Sequence, residues 1–151
     1  MHEQIAETLL EKGFKKHKTK DFIAVKKDMV FVVSFQGIKN DIYLWYCISP
    51  LCLPNLWINR GFHPAAGRFP EVENTLQQNQ NIENQINEVL DNKVLPLFSK
   101  CNEMSDLINL YESGNDKAKF SKAFCLFGIG EYKKAQIELM QLKEIFSSKT
   151  D

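Results

Sequence analysis

The sequence lacks the features that mark several large protein classes. Its 19 Lys and Arg residues balance 19 Asp and Glu residues, so no basic surface for nucleic acid or anionic lipid is indicated. No window approaches the roughly 20 apolar residues of a membrane-spanning helix. The opening residues, MHEQIAETLLEKG, have acidic side chains and no long apolar run, unlike a signal peptide. Nucleic-acid and membrane partners are therefore not expected. A cytoplasmic location is expected.

Cysteine and histidine are also sparse and show no metal-binding pattern. The four cysteines, at positions 47, 52, 101 and 125, form no C-x-x-C pair, and a reduced thiol within an apolar pattern behaves as a small hydrophobe. Cys47 and Cys52 could meet only if the chain turned at Pro50, and a metal would still lack two ligands. The three histidines form neither H-x-x-x-H nor H-E-x-x-H. No metal and no other cofactor is expected.

The first half of the chain changes from helical to strand periodicity. Ile5 and Leu9 belong to a helical stripe that ends at Gly13, as a C-terminal glycine predicts. Short connections between the strand-like segments that follow favour antiparallel pairing. Alternation and β-branched or aromatic residues mark three such segments, which are Asp21–Lys27, Met29–Gly37 and Ile42–Ser49. Asn55–Phe62 is a candidate fourth strand.

The second half has helical periodicity. Apolar residues recur at helical spacing from Ile82 to Leu97, where Pro96 is expected to kink or end the helix. Three further stripes follow, the first with Asn102 as a possible cap. The order predicts an α+β fold with an N-terminal helix, an antiparallel sheet of about three or four strands, and C-terminal helices including a hairpin. One domain over residues 1–151 is expected, with helix and strands in 1–75 and helices in 76–151.

The stretch FCLFGIGEYKKAQIEL could in principle carry a phosphate-binding loop. Gly128 and Gly130 supply two glycines of a dinucleotide fingerprint, but Lys133 stands at the third position and the preceding run has helical periodicity. No G-K-S or G-K-T follows, so a P-loop is not indicated either. A corner between two helices fits better, because Gly128 would end one helix and Ala135 would allow the next to pack closely.

This corner resembles a single unit of the tetratricopeptide class. The resemblance covers about Ala118 to Leu142 and rests on a helix, the pattern G-x-G-E-Y-x-x-A, and a second helix. Arrays of this class need about three repeats of 34 residues, and no second copy occurs upstream. The resemblance implies a pair of antiparallel helices, and an adaptor that docks a peptide on this hairpin is one possible function.

Six side chains are the candidate contact residues for a partner. Trp, Tyr and Arg are the residue types that anchor protein interfaces, although packing in the core is the alternative for each aromatic. The loop WINRGFHPAAGRF also allows a small-ligand site or an enzyme, because its arginines could bind an anion. No nucleophile stands near its histidine in a recognisable motif, so no catalytic residue is predicted. The six residues are Tyr43, Trp45, Trp57, Arg60, His63 and Arg68.

Residues 9–49 and the run VLPLFSKCNEMSDLINLYE resemble small uncharacterised bacterial proteins grouped as domains of unknown function. The matching positions are Gly13, Phe14, Lys15, Gln36, Asn59 and Gly61. Related proteins of this size look like immunity or accessory members of bacterial toxin systems. The resemblance implies a non-enzymatic immunity protein that binds a cognate toxin or effector and neutralises it by occlusion.

Overall fold

The computed structural model describes residues 2–38, 41–52, 66–68, 82–112 and 116–148. An N-terminal helix precedes an antiparallel sheet, and helices follow, so the predicted α+β order is confirmed. The elements in chain order are α1 His2–Glu11, β1 Lys15–Lys16, β2 Asp21–Lys26, β3 Met29–Ile38, β4 Asp41–Pro50, β5 Ala66–Arg68, α2 Ile82–Val89, a π-helical turn Leu90–Val94, α3 Leu95–Lys100, α4 Met104–Glu112, α5 Asp116–Gly128 and α6 Tyr132–Ser148.

The five strands form one sheet in sequence order, β1-β2-β3-β4-β5. The three central strands carry most of the pairing, since β1 has 2 residues and β5 has 3. Strands β2 and β3 pair from Lys26 and Met29 onward, so Lys27 and Asp28 form a tight turn, in which Lys27 has φ 51°. A short turn of this kind forces neighbouring strands to run antiparallel.

The central strands are buried on both faces. One face joins the helices in the main core, where the rings of Phe31 and Phe98 lie 4.9 Å apart between centroids. The other face forms a smaller cluster of Val30, Val32 and Cys47. This agrees with the strand sequences, in which apolar residues occupy both alternating sets of positions.

The helical segment does not end at Pro96. The chain stays helical through α3, and a π-helical turn over Leu90–Val94 precedes the proline. The amide of Leu95 donates to the carbonyl of Leu90, five residues earlier rather than four. Pro96 itself has no amide hydrogen to donate and lies in the first turn of α3. The wider turn therefore accommodates a residue that was expected to kink or end the helix.

Helix α4 is capped by Asp106 rather than by the side chain of Asn102. The Asp106 Oδ2 atom accepts hydrogen bonds from the amides of Asn102 at 2.8 Å and Glu103 at 3.0 Å. These two bonds hold the pKa of the Asp106 carboxyl below its usual value. The Asn102 side chain instead donates to the carbonyl of Ser99 at 3.1 Å, at the end of α3. The sequence therefore predicted the start of α4 close to its place in the structure, but it predicted the wrong capping side chain.

Tyr111 anchors α4 to the sheet. Its ring is buried, and its hydroxyl donates to the carbonyl of Ile48 in β4 at 3.2 Å. Burial raises the pKa of Tyr111 far above its usual 10.0, and burial likewise raises the pKa of Cys125 far above 9.0. Both groups therefore stay protonated in the folded protein at pH values where the unfolded chain ionises them.

We expect the free energy of unfolding to fall as the pH rises above about 9. The unfolded chain then binds fewer protons than the folded one, so each group lowers stability by about 1.4 kcal/mol per pH unit above its unfolded pKa. Guanidinium unfolding at several pH values between about 8 and 11 measures how steeply the free energy of unfolding falls with pH. Tyr111→Phe should show a shallower slope above pH 10, and a wild-type stability that does not change over this range would contradict the assignment.

Candidate protein-binding surface

Only part of the predicted contact cluster falls within the described residues. Tyr43 and Trp45 belong to β4, and Arg68 belongs to β5. The pairing of these strands places Trp45 directly opposite Arg68, and Trp45 is half-buried. The sheet edge therefore brings together two residues that are 23 positions apart in the sequence. The other three predicted residues lie outside the described part of the chain: Trp57, Arg60 and His63.

Most of the large apolar side chains that are exposed lie on the C-terminal hairpin, which is formed by α5 and α6. Elsewhere in the described residues, the exposed large apolar side chains are Leu10 in α1, Val25 in β2 and Leu51 after β4, whereas those of the hairpin lie along two adjacent helices and their corner. A contiguous exposed apolar surface marks a site of interaction. The exposed residues of the hairpin are Phe120, Phe127, Ile129, Tyr132, Ile137, Leu139, Met140 and Phe146.

The corner of the hairpin is built by Gly130, which has φ 84°. Its amide donates to the carbonyl of Phe127 at 3.0 Å, and the amide of Glu131 donates to the carbonyl of Leu126 at 2.9 Å. This pattern is a Schellman motif, which needs a left-handed residue that glycine adopts without strain. The amides of Gly130 and Glu131 are thus used to end a helix. The corner does not form the phosphate-binding loop that the two glycines could have indicated.

Gly128 has a different role, although it is the last residue of α5. A Cβ atom at this position would lie 2.9 Å from the Sγ atom of Cys52. Cys52 follows β4 in a turn, and its thiol lies 3.7 Å from the carbonyl oxygen of Phe124 in α5. The missing side chain at position 128 therefore lets the end of the sheet approach the hairpin closely.

One side of the hairpin is held by ion pairs. The Nζ atom of Lys122 lies 2.5 Å from Glu138 in α6 and 3.1 Å from Glu112 in α4. Partial burial opposes the charged form of Lys122, but the hydrogen bonds to both carboxylates outweigh it and raise the pKa of the amine. Lys122 thus connects three helices, and Leu142 is buried on the same side of the hairpin. These contacts fix the position of α6 against α5.

The other side of the hairpin is an apolar cavity of about 570 Å³, called the hairpin groove below. Near the corner, Phe127 and Tyr132 meet edge to face with ring centroids 5.2 Å apart. Lys143 comes 11 residues after Tyr132, so the groove runs for roughly 16 Å along α6. Among the described lining residues, Lys143 alone carries a charge. The groove is lined by Ala123, Phe124, Phe127, Tyr132, Ala135, Gln136, Leu139, Met140 and Lys143.

The sequence indicated the hairpin but not the groove. The apolar stripe at helical spacing in α6 is only partly covered: Ala135 and Leu142 are buried, whereas Tyr132, Leu139 and Phe146 are exposed. A signal was present in the sequence: Ile137 and Met140 are apolar and lie off that stripe. An α-helix with apolar residues beyond one stripe needs more than one apolar neighbour.

Among the residues that the structure describes, no three His, Cys, Asp or Glu side chains come together as a metal site. None of the helices in this part of the chain is both long enough and apolar enough to cross a bilayer.

No family model, no curated protein and no solved structure matches the sequence or the fold. The resemblances to a tetratricopeptide unit and to immunity-type bacterial proteins therefore stay predictions.

Proposed function

We propose that this chain is a non-enzymatic protein-binding protein and that the hairpin groove is its contact surface. The exposure of large apolar side chains around this groove is the observation that carries the proposal: Phe127 is 62% exposed, Tyr132 61% and Met140 58%. Covering such surface releases about 25 cal/mol for each Å² of apolar area. A partner that fills the groove therefore gains a large favourable contribution at little cost in polar desolvation.

The groove is also well suited to binding because it is held in place before a partner arrives. The Schellman corner fixes one end of the hairpin, and Lys122 joins α4, α5 and α6 through its two carboxylate partners. A surface that is already ordered loses little conformational entropy on association. Phe, Tyr and Met, which surround the groove, are enriched at the centres of protein interfaces.

An immunity-type function is the specific form of protein binding that the sequence resemblance suggests. In this form, the partner is a toxin or effector, and the bound hairpin covers its active site or prevents its assembly. The mechanism needs no catalytic group on this chain, only a surface that excludes substrate from the partner. Neutralisation of a toxin in co-expression, and its loss when the groove is altered, would support this specific form.

Site-specific photo-crosslinking in the cells that make the protein tests the proposal. A photoreactive phenylalanine at Met140 places the probe in the groove, and the same amino acid at Gln141 serves as the matched control. Gln141 is exposed and lines the polar cavity with Lys122 and Glu138. We expect a discrete covalent product with a second protein from position 140 only. Equal products from both positions, or none from position 140, would count against the groove as the contact surface.

A further inference from the structure

We propose that the occupant of the hairpin groove is an amphipathic α-helix of the partner protein, with apolar anchors along one face and a carboxylate placed against Lys143. This inference rests on the proposed function and goes beyond it, because it specifies the secondary structure and the charge of the bound segment. Three properties of the groove support it: its length, its few polar groups and the single charged residue among its described lining residues.

The length of the groove suits a short helix. From Tyr132 to Lys143 the groove spans about three helical turns, or roughly 16 Å. A helix packed along it presents apolar side chains at i, i+3 or i+4, and i+7, which is the spacing of anchors in other helix-in-groove complexes. A volume of about 570 Å³ lies within the range of roughly 300–1,000 Å³ in which binding pockets accept organic groups.

The apolar lining favours a helix over an extended segment. Tyr132, Gln136 and Lys143 are the polar side chains that the described lining offers. An extended peptide would bring unpaired amides and carbonyls into this groove, and each buried, unpaired group costs about 1–3 kcal/mol. A helix pairs its own backbone groups and presents only side chains, so it avoids this cost.

The charge of the groove favours an acidic residue on the partner. Helix α6 carries two carboxylates, Glu138 and Glu144. Glu138 pairs with Lys122, and Glu144 directly follows Lys143 in the chain, so the two side chains point to different sides of the helix. No ion pair joins Lys143 to a carboxylate of the described residues. A bound helix partly removes Lys143 from water, which is unfavourable unless a carboxylate of the partner pairs with it.

A second copy of this chain fits the groove less well. In a two-fold dimer whose axis passes through the groove, the same surface of both subunits meets, so one concave groove faces another and the cavity stays unfilled. The same symmetry brings both copies of Lys143 into one interface without adding a carboxylate to the groove. We therefore assign the occupant, a convex apolar segment with an acidic residue, to a different protein.

A displayed library of helical peptides of about 16 residues tests the inference. The apolar positions of one face vary among Leu, Ile, Phe, Met and Ala, and flanking positions near both ends vary among Glu, Gln and Lys. Selection is run on the wild-type protein, on Lys143→Glu and on Lys134→Glu, and also on Met140→Glu, which places a carboxylate in the groove. Lys134 is an exposed lysine of the same helix outside the groove, so its reversal makes the same change in net charge.

We expect wild type and Lys134→Glu to select apolar anchors flanked by Glu, and Lys143→Glu to select Lys flanks. A selected Glu-flanked peptide should bind Lys143→Glu at least about 10-fold more weakly, which corresponds to 1.4 kcal/mol. If the selected peptides bind through the groove but show no preference for Glu, Gln or Lys at the flanking positions, the acidic residue proposed for the partner is wrong. The proposed function would still stand in that case. If the wild-type protein enriches peptides no more strongly than Met140→Glu does, both this inference and the proposed function are wrong. If the wild-type protein is a dimer and Met140→Glu is a monomer, the occupant of the groove is a second copy of this chain and the inference is wrong.

Discussion

Met140→Glu should lower the affinity for the partner by at least about 100-fold and leave the stability of the protein almost unchanged. Met140 lines the groove and is 58% exposed, so the folded monomer tolerates a carboxylate there. In the complex the same carboxylate is buried against apolar side chains, and the charged lining residue within reach, Lys143 three residues further on, is paired with the carboxylate of the partner. A buried, unpaired charge costs several kcal/mol, and about 2.7 kcal/mol already corresponds to a 100-fold loss.

Gln141→Glu is the matched control for this variant. It introduces the same side chain one residue further along α6, on the side that lines the polar cavity rather than the groove. We expect affinity within about threefold of wild type and an unchanged melting temperature for this control. Calorimetric titration with the crosslinked partner, or with a peptide selected on the groove, measures both variants. Equal affinities for Met140→Glu and Gln141→Glu would exclude the groove as the binding surface.

Phe22→Ala should lower the free energy of unfolding by about 3–5 kcal/mol, the usual cost of removing a buried phenylalanine. Phe22 has 0% exposure in the main core. Its ring stacks against that of Phe35 in the neighbouring strand, with centroids 6.0 Å apart. Alanine removes both the buried apolar surface and this ring contact and leaves a cavity. Because domains are stable by only about 5–15 kcal/mol, the loss is a large share of the total.

Val25→Ala, in the same strand, separates burial from strand propensity. Val25 is 60% exposed, so its truncation creates no cavity and should cost less than about 1 kcal/mol, mostly through strand propensity. Urea unfolding of both variants, with a shared slope against denaturant concentration, gives the two differences. A similar loss for the two substitutions would contradict the placement of Phe22 at the centre of the core.

Local periodicity accounts for the part of the fold that the sequence predicted. Alternating residues in Met29–Ile38 and the helical spacing of the later stripes are properties of short segments, so the order of elements follows without tertiary information. The end of α5 near the glycine pair was likewise indicated by local turn residues.

Tertiary neighbours account for what the sequence did not predict. The pattern of α6 indicates which residues share a face, but not whether another element covers that face; Leu139 and Met140 are exposed because none does among the described residues. Asp106 caps α4 because the chain before the helix bends back toward it. Arg68 lies opposite Trp45 because β5 pairs with β4, a register that neither segment encodes alone.

The sequential order of the strands has a consequence for how the sheet forms. Each later strand pairs with the one before it in the chain, and two residues separate β2 from β3 and β3 from β4 in the sequence. Closing a short loop costs little chain entropy, whereas a distant pairing must bring together ends separated by many residues. The central sheet can therefore assemble one hairpin at a time, and topologies dominated by such local contacts fold fast for their size.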